Sequence, residues 1–198
     1  TLSVITADIT RRLGIASRIL PMSDQPVATR LLTDEGWMDF QPWFVGRRAE
    51  PRVREVAFAG VEASRPAPGV TEAIAAADVI VICPSNPLIS IDPILAVPGI
   101  GDAIRASSAP VVAVSPVIGG KAVKGPTAKM MEELGEKPTA ATVAARYAGL
   151  ADVFIADASD TDVAMPAGMR LVHAQTLMRT LADREDLARV VLAAAGKP

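Results

Sequence analysis

Cysteine is nearly missing from this chain: Cys83 is the only one in 198 residues. That excludes an intramolecular disulfide framework and fits a reducing cytosol. His173 is likewise the only histidine, so one Cys and one His leave little from which to build a zinc site. Aromatics are scarce, with Tyr147, Trp37, Trp43 and four Phe, too few for a base-stacking surface. The formal net charge of −2 gives no global electrostatic case for a nucleic-acid partner. No apolar run is long enough to span a bilayer, so no membrane partner is expected. What remains is half hydrophobic and 21% charged, the profile of a soluble globular protein with enough length for one good core.

Residue 1 is Thr, and no secretory pattern is apparent. Thr1–Leu13 reads as an amphipathic helix, with Leu2, Ile5, Ile9 and Leu13 on one side and Gly14 as its stop. This resembles the middle of an α/β alternation, and the expectation is that an N-terminal portion is missing. A short strand is expected at Ser17–Leu20. A hairpin follows, with Thr29–Thr33 and Trp37–Phe40 as arms and Asp34-Glu35-Gly36 as the turn. Val53–Ala59 alternates like another strand. From Val70 the pattern is regular, with strands at 79–83, 111–115, 152–157 and 169–173. Between and after them lie helices near 70–77, 91–95, 101–106, 127–134, 139–147 and 183–195. Strands alternating with helices imply an α/β fold, Rossmann-like and doubly wound, with a mostly parallel sheet. The hairpin region, roughly residues 24–60, reads as an inserted lid.

Two strand ends carry the chemistry. The first is Asp78-Val-Ile-Val-Ile-Cys-Pro-Ser-Asn-Pro87, the second Ala109-Pro-Val-Val-Ala-Val-Ser-Pro-Val-Ile-Gly-Gly-Lys-Ala-Val-Lys-Gly-Pro-Thr127. Each apolar run stops abruptly in small and polar residues, and open α/β sheets bind ligands just outside such carboxyl ends. Gly119 and Gly120 allow close backbone approach, Lys121 and Lys124 supply cations, and Gly125-Pro126 fits a helix entry that favours an anion. The competing reading is a glycine turn with solvated lysines. Pro126 stands where a Walker A loop needs Lys. Ser115 closes the second strand. Ser85, Asn86 and Ser90 can bond a phosphate, a ribose or a base edge, or can simply cap the next helix. Asp24, or the cluster Asp157, Asp160 and Asp162, could help bind Mg²⁺, although caps and turns explain the second set better. Trp37, Trp43 and Arg48 could stack on a flat ring and clamp a phosphate, or could be core and solvated face. Cys83 reads as a small buried hydrophobe, and nothing near it favours a Cys–His nucleophilic pair.

Several stretches resemble the 2-phospho-L-lactate transferase family of coenzyme F-420 biosynthesis. They are Leu-Pro-Met-Ser-Asp (20–24), Thr-Asp-Glu-Gly (33–36), Phe-Gln-Pro-Trp-Phe-Val (40–45), the run from Cys83 to Gly99, the run from Val114 to Thr127, and Gln-Thr-Leu-Met-Arg-Thr (175–180). Asp92 departs from the small residue expected there, and nothing matches the family's upstream nucleotide loop. The resemblance implies that residues 1–198 are the larger, C-terminal part of a single α/β transferase domain.

The implied reaction moves a phospholactyl or phosphoenolpyruvyl group from a guanosine diphosphate-linked donor to the ribityl hydroxyl of the deazaflavin FO. GMP is released, Mg²⁺ assists, and no protein nucleophile is needed. On that reading Ser85, Asn86, Ser90, Ser115, Gly119, Gly120, Lys121, Lys124 and Gly125 hold the donor. Trp37, Trp43 and Arg48 face FO, and Asp24 positions the metal or the hydroxyl. Arg outnumbers Lys 15 to 5, which points to a GC-rich, actinobacterial source and the phosphoenolpyruvyl donor. The alternative is a non-catalytic regulator of related fold that binds a nucleotide or nucleotide sugar. A homodimer through apolar segments such as Ile94–Ile100 is a further option.

Overall fold

The computed structural model describes residues 1–122 and 125–197. An open parallel sheet of four strands sets its frame, with β4 (Ile80–Ile82), β5 (Val111–Val114), β8 (Val153–Asp157) and β9 (Arg170–Ala174) in the order β4-β5-β8-β9. All four side chains of β5 are buried, as is usual for a strand covered on both faces. Val112, Val114, Val153 and Ile155 face α7 (Leu181–Ala194), which covers them with Leu187 and Val191. Val111, Ala113, Phe154 and Ala156 face the larger core. There they meet α4 (Ile100–Ala106), α5 (Thr127–Glu133) and α6 (Ala140–Arg146).

The hairpin expected from Asp34-Glu35-Gly36 is present as β1 (Ala28–Thr33) and β2 (Gly36–Asp39). β3 (Val53–Ala59) joins the other side of β1, giving an antiparallel sheet in the order β2-β1-β3. This sheet does not have a separate core. Leu31, Trp43 and Val53 are fully buried in the same cluster as Ile82, Met130, Val143 and Phe154. α1 (Leu2–Arg12) ends before Gly14, which takes the left-handed φ of +65°. α2 (Val70–Ala75) and α3 (Asp92–Ala96) complete the helices.

Some expectations are corrected. Ser17–Leu20 is irregular, because no neighbouring strand pairs with it and Pro21 follows. The Gly-Gly loop is not simply a loop: β6 (Val117–Ile118) and β7 (Lys121–Ala122) form a small hairpin around it. Cys83 is exposed, not buried, since it lies just past the end of edge strand β4. Within Ile94–Ile100, Val97 and Ile100 point into the core, while Ile94, Pro98 and Gly99 are exposed.

Candidate functional site

Parallel pairing puts the carboxyl ends of β4, β5, β8 and β9 on one edge of the sheet. After β4 come Ser85 and Asn86. Asn86 is buried and caps a π-helical turn, Pro87–Ile91, by accepting from the Leu88 N–H at 2.9 Å. Its amide nitrogen lies 3.8 Å from Met130 Sδ, which ties this loop to α5. Ser90 sits within the turn, its N–H donating to the Asn86 carbonyl at 3.0 Å. After β5, Ser115 is buried, and its hydroxyl is used locally. It donates to the Val117 carbonyl at 2.9 Å and accepts from the Val117 N–H at 3.1 Å. Ser115 therefore shapes the chain's departure from the strand, and a ligand would reach its hydroxyl only after that turn opened.

Gly119 and Gly120 occupy the corners of the β6–β7 hairpin with φ of +56° and +72°. A two-residue type I′ turn requires positive φ at both corners, which explains the Gly pair. Added Cβ atoms would meet no close neighbour at either corner, so backbone conformation, rather than crowding, demands glycine there. Lys121 is exposed beside the turn, as is Gly125. Lys124 lies outside the described residues. α5 begins immediately after Pro126, with Thr127 buried.

The neighbouring strand ends bring in two acids of the Asp157, Asp160 and Asp162 cluster, together with partners, Ser159 and Thr176, that local sequence patterns did not single out. Asp157, at the end of β8, is buried and accepts four hydrogen bonds. Ser159 donates its N–H and Oγ to one oxygen at 3.0 and 2.7 Å, and Thr176 donates its N–H and Oγ1 to the other at 2.9 and 3.0 Å. Burial pushes this carboxyl up, but the bonds from Thr176 and Ser159 outweigh it and hold it below its usual value. Asp160 accepts the Gly119 N–H at both oxygens, 3.1 and 3.2 Å away, and so pins the glycine hairpin to the β8 end. No spacing rule links Asp157 to Thr176, and only the parallel pairing of β8 with β9 brings them together.

The remaining candidates are dispersed. Asp24 is tied to α1: its oxygens accept the Ser3 N–H and Oγ, each at 2.7 Å. Those backbone and side-chain bonds hold its carboxyl below the ordinary value. It is thus an ionised group engaged at a helix start. Trp43, expected at the surface facing a ring, is fully buried, and its Nε1 donates to the Pro51 carbonyl at 2.9 Å. It packs in the core because the Pro42–Gly46 turn folds it inward against α5. Trp37 is 45% exposed, with the Arg30 guanidinium 5.6 Å from its ring centroid. Arg48 is exposed and takes φ of +52°. Cys83 and His173 lie on opposite edges of the sheet, which excludes the nucleophilic pair in this conformation.

Among the described residues no three His, Cys, Asp or Glu side chains are grouped so as to hold a metal ion. Among them also, no single helix is long and apolar enough to cross a membrane.

An open parallel sheet with polar, glycine-bearing loops on one edge defines an α/β protein of the class that binds ligands outside the carboxyl ends of its strands. The family model for 2-phospho-L-lactate transferase CofD matches residues 1–193, and the chain belongs to that family of transferases. A 2-phospho-L-lactate transferase of Methanopyrus kandleri is 41% identical over 194 residues, covering 96% of this chain and 62% of the relative. A phosphoenolpyruvate transferase of Kitasatospora aureofaciens is 39% identical over 203 residues, covering 98% and 63%. The chain thus spans less than two thirds of these curated relatives. Protein BH3568 of Bacillus halodurans, described as a member of the UPF0052 family, has a solved structure that superposes with a TM-score of 0.63. It shares 18% identity and covers 94% of this chain and 65% of its own, a likeness of fold alone.

Proposed function

We propose that the natural protein transfers a phospholactyl or phosphoenolpyruvyl group from a guanosine diphosphate-linked donor to the terminal ribityl hydroxyl of FO. The observation that carries this reading is family membership across residues 1–193. The collection of Ser85, Asn86, the Gly119-Gly120 hairpin, Lys121 and Asp160 along one sheet edge supports it. In the proposed reaction the hydroxyl oxygen of FO forms a bond to the phosphorus that carries the three-carbon acid. The bond from that phosphorus to the bridging oxygen breaks, GMP leaves with the bridging oxygen, and the hydroxyl proton passes to solvent.

No covalent enzyme intermediate is required, so the protein acts by orienting the partners and offsetting phosphate charge. Lys121 suits the donor's diphosphate, and the Gly119 N–H would join it only by exchanging its bond to Asp160. The exposed Trp37, with Arg48 nearby in sequence, suits the acceptor ring. Mg²⁺ belongs to the same proposal as a companion of the donor's phosphates, which need few protein carboxylates. Asp24 is the carboxylate assigned to it or to the hydroxyl, once released from Ser3. The relatives' names include both three-carbon acids and do not choose between them.

The test is to incubate the natural full-length protein with FO and each guanosine diphosphate-linked donor, and to read product mass and GMP. A mass gain on FO matched by equal GMP identifies the donor. FO unchanged with both donors overturns the reading.

A further inference from the structure

We infer that Lys129 is a positioning residue which, with Glu133, clasps the donor-side loops to the aromatic turn at Pro42–Gly46, so that binding on one side is felt on the other. The inference rests on the donor and acceptor sides proposed above. α5 reaches both. On its inward side Met130 and Met131 are fully buried, and Met130 Sδ meets the Asn86 amide of the β4 loop. On its other side the Lys129 ammonium lies 2.5 Å from Glu133 Oε1, 3.3 Å from the Pro51 carbonyl and 5.7 Å from the Trp43 ring centroid. The Pro51 carbonyl also accepts Trp43 Nε1, and Glu133 Oε2 accepts the Val53 N–H at 2.9 Å. One short helix therefore holds both ends of the segment from Trp43 to Val53.

That segment is held in an uncommon conformation. Arg48 and Ala49 both take positive φ, 52° and 56°, a region that residues with a Cβ rarely adopt. The Arg47, Ala49 and Glu50 N–H groups donate to the Pro42, Trp43 and Arg47 carbonyls. Arg52 is paired with Asp34 and Arg47 with Glu35, and the group centred on Pro51 ties the segment to α5. Residues at positive φ persist only while such bonds hold them, and of these bonds the ones from α5 are those that connect the segment to the donor-side loops. Trp43 passes its position outward, since its ring centroid is 6.4 Å from that of Phe44. Phe44 is 39% exposed and stacks on Phe40 at 5.3 Å. A shift of α5 caused by occupancy of the Asn86 loop or the glycine hairpin would therefore move Trp43 through Lys129 and reset Phe44 at the surface.

The experiment uses the natural full-length protein. In a Trp37→Phe background Trp43 is the remaining tryptophan among residues 1–198, and GDP is the probe. GDP is expected to change Trp43 emission in this background. Lys129→Met should reduce that change at least fivefold and Lys129→Arg should restore most of it. With Trp37 intact, Lys129→Met should weaken FO binding about five- to tenfold when GDP is bound and by less than about twofold when GDP is absent; couplings of this size are typical and reciprocal. No GDP response in the Trp37→Phe protein, or the same response in Lys129→Met, overturns the clasp. So does an equal loss of FO affinity with and without GDP. Should Lys129→Met fail to accumulate, Lys129→Gln takes its place with the same criteria. Failure of the proposed function looks different: FO is not converted, while the Trp43 response to GDP still depends on Lys129.

Discussion

Arg146 shows how a single side chain fixes two segments that bear on the candidate site. Its guanidinium lies 3.1 Å from Asp92, at the start of α3, and 2.9 Å from Glu136, just beyond α5. Replacing it by Met would leave two half-buried carboxylates facing one another. Buried pairs broken this way lose about 3–5 kcal/mol and exposed ones under about 1. At 24% exposure the expected loss for Arg146→Met is about 2 kcal/mol at pH 7, read by urea unfolding. The pH dependence follows from Asp92, whose carboxyl is pushed up by burial against the pull of Arg146, with Glu136 adding to the rise. A folded carboxyl that holds its proton more tightly than the unfolded chain loses stability as pH rises from its ordinary value, near 4, through the raised one. Removing Arg146 widens that window, so the variant's deficit should grow from pH 4 to pH 7. Equal deficits at both would remove Asp92 from the account.

Asp157 has the opposite sign. Its folded value is depressed, so its contribution is present above the ordinary carboxylate range and fades as pH falls through the folded value. Asp157→Asn puts an amide donor against the donors from Thr176 or Ser159. The expected cost is about 2–3 kcal/mol at pH 7, shrinking relative to the parent below pH 4. A pH-independent difference in melting temperature would contradict this.

At the scale of elements, two glycines separate conformation from crowding. Gly120 has φ of +72° and open space where a Cβ would go, whereas Gly60 has φ of +85° and a would-be Cβ 2.5 Å from the Pro26 carbonyl oxygen. Gly120→Ala should cost about 1–2 kcal/mol, with Asn there cheaper than Ala because Asn tolerates the left-handed region. Gly60→Ala should cost clearly more, since backbone must move. Comparable losses in chemical denaturation would mean that the hairpin corner is crowded too. Elements of this kind differ in how plainly sequence announces them. The β1–β2 hairpin was readable because its arms alternate and Gly36 turns the chain, and α6 because Thr139 caps it by accepting the Thr142 N–H at 3.1 Å. The β6–β7 hairpin was not, since arms of two residues carry no periodicity. Sequence leaves Trp43 open between a ring-facing and a core position, because its burial depends on Lys129 and Met130, far along the chain. At the site, the abrupt ends of β4 and β5 were visible in sequence. The Asp157–Thr176 junction was not, because it depends on which strand lies beside which.

For the whole molecule, the antiparallel sheet and the parallel sheet share one core, and this determines how the protein fails. Leu31, Trp43 and Val53 pack with Met130, Val143 and Phe154, while the Lys129 and Glu133 bonds tie the Trp43–Val53 segment to α5. A lid that opened as a unit would strip this cluster of its cover and expose apolar surface at roughly 25 cal/mol per Å². Unfolding should therefore be one cooperative event, with Trp43 emission and far-UV circular dichroism changing together. Val53→Ala should lower the midpoint for both probes alike, by about 2–3 kcal/mol. Lys121 stands outside this network, exposed on the hairpin and away from the buried cluster. Lys121→Ala in the full-length protein should leave the melting temperature within about a degree, since isolated surface changes usually stay within about 0.5 kcal/mol. If the hairpin faces the donor, the same change should weaken guanosine diphosphate binding about tenfold, the loss of one charge-assisted contact. Unchanged affinity in a protein of unchanged stability would remove Lys121 from the donor side, and the hairpin would then be a turn with a solvated lysine.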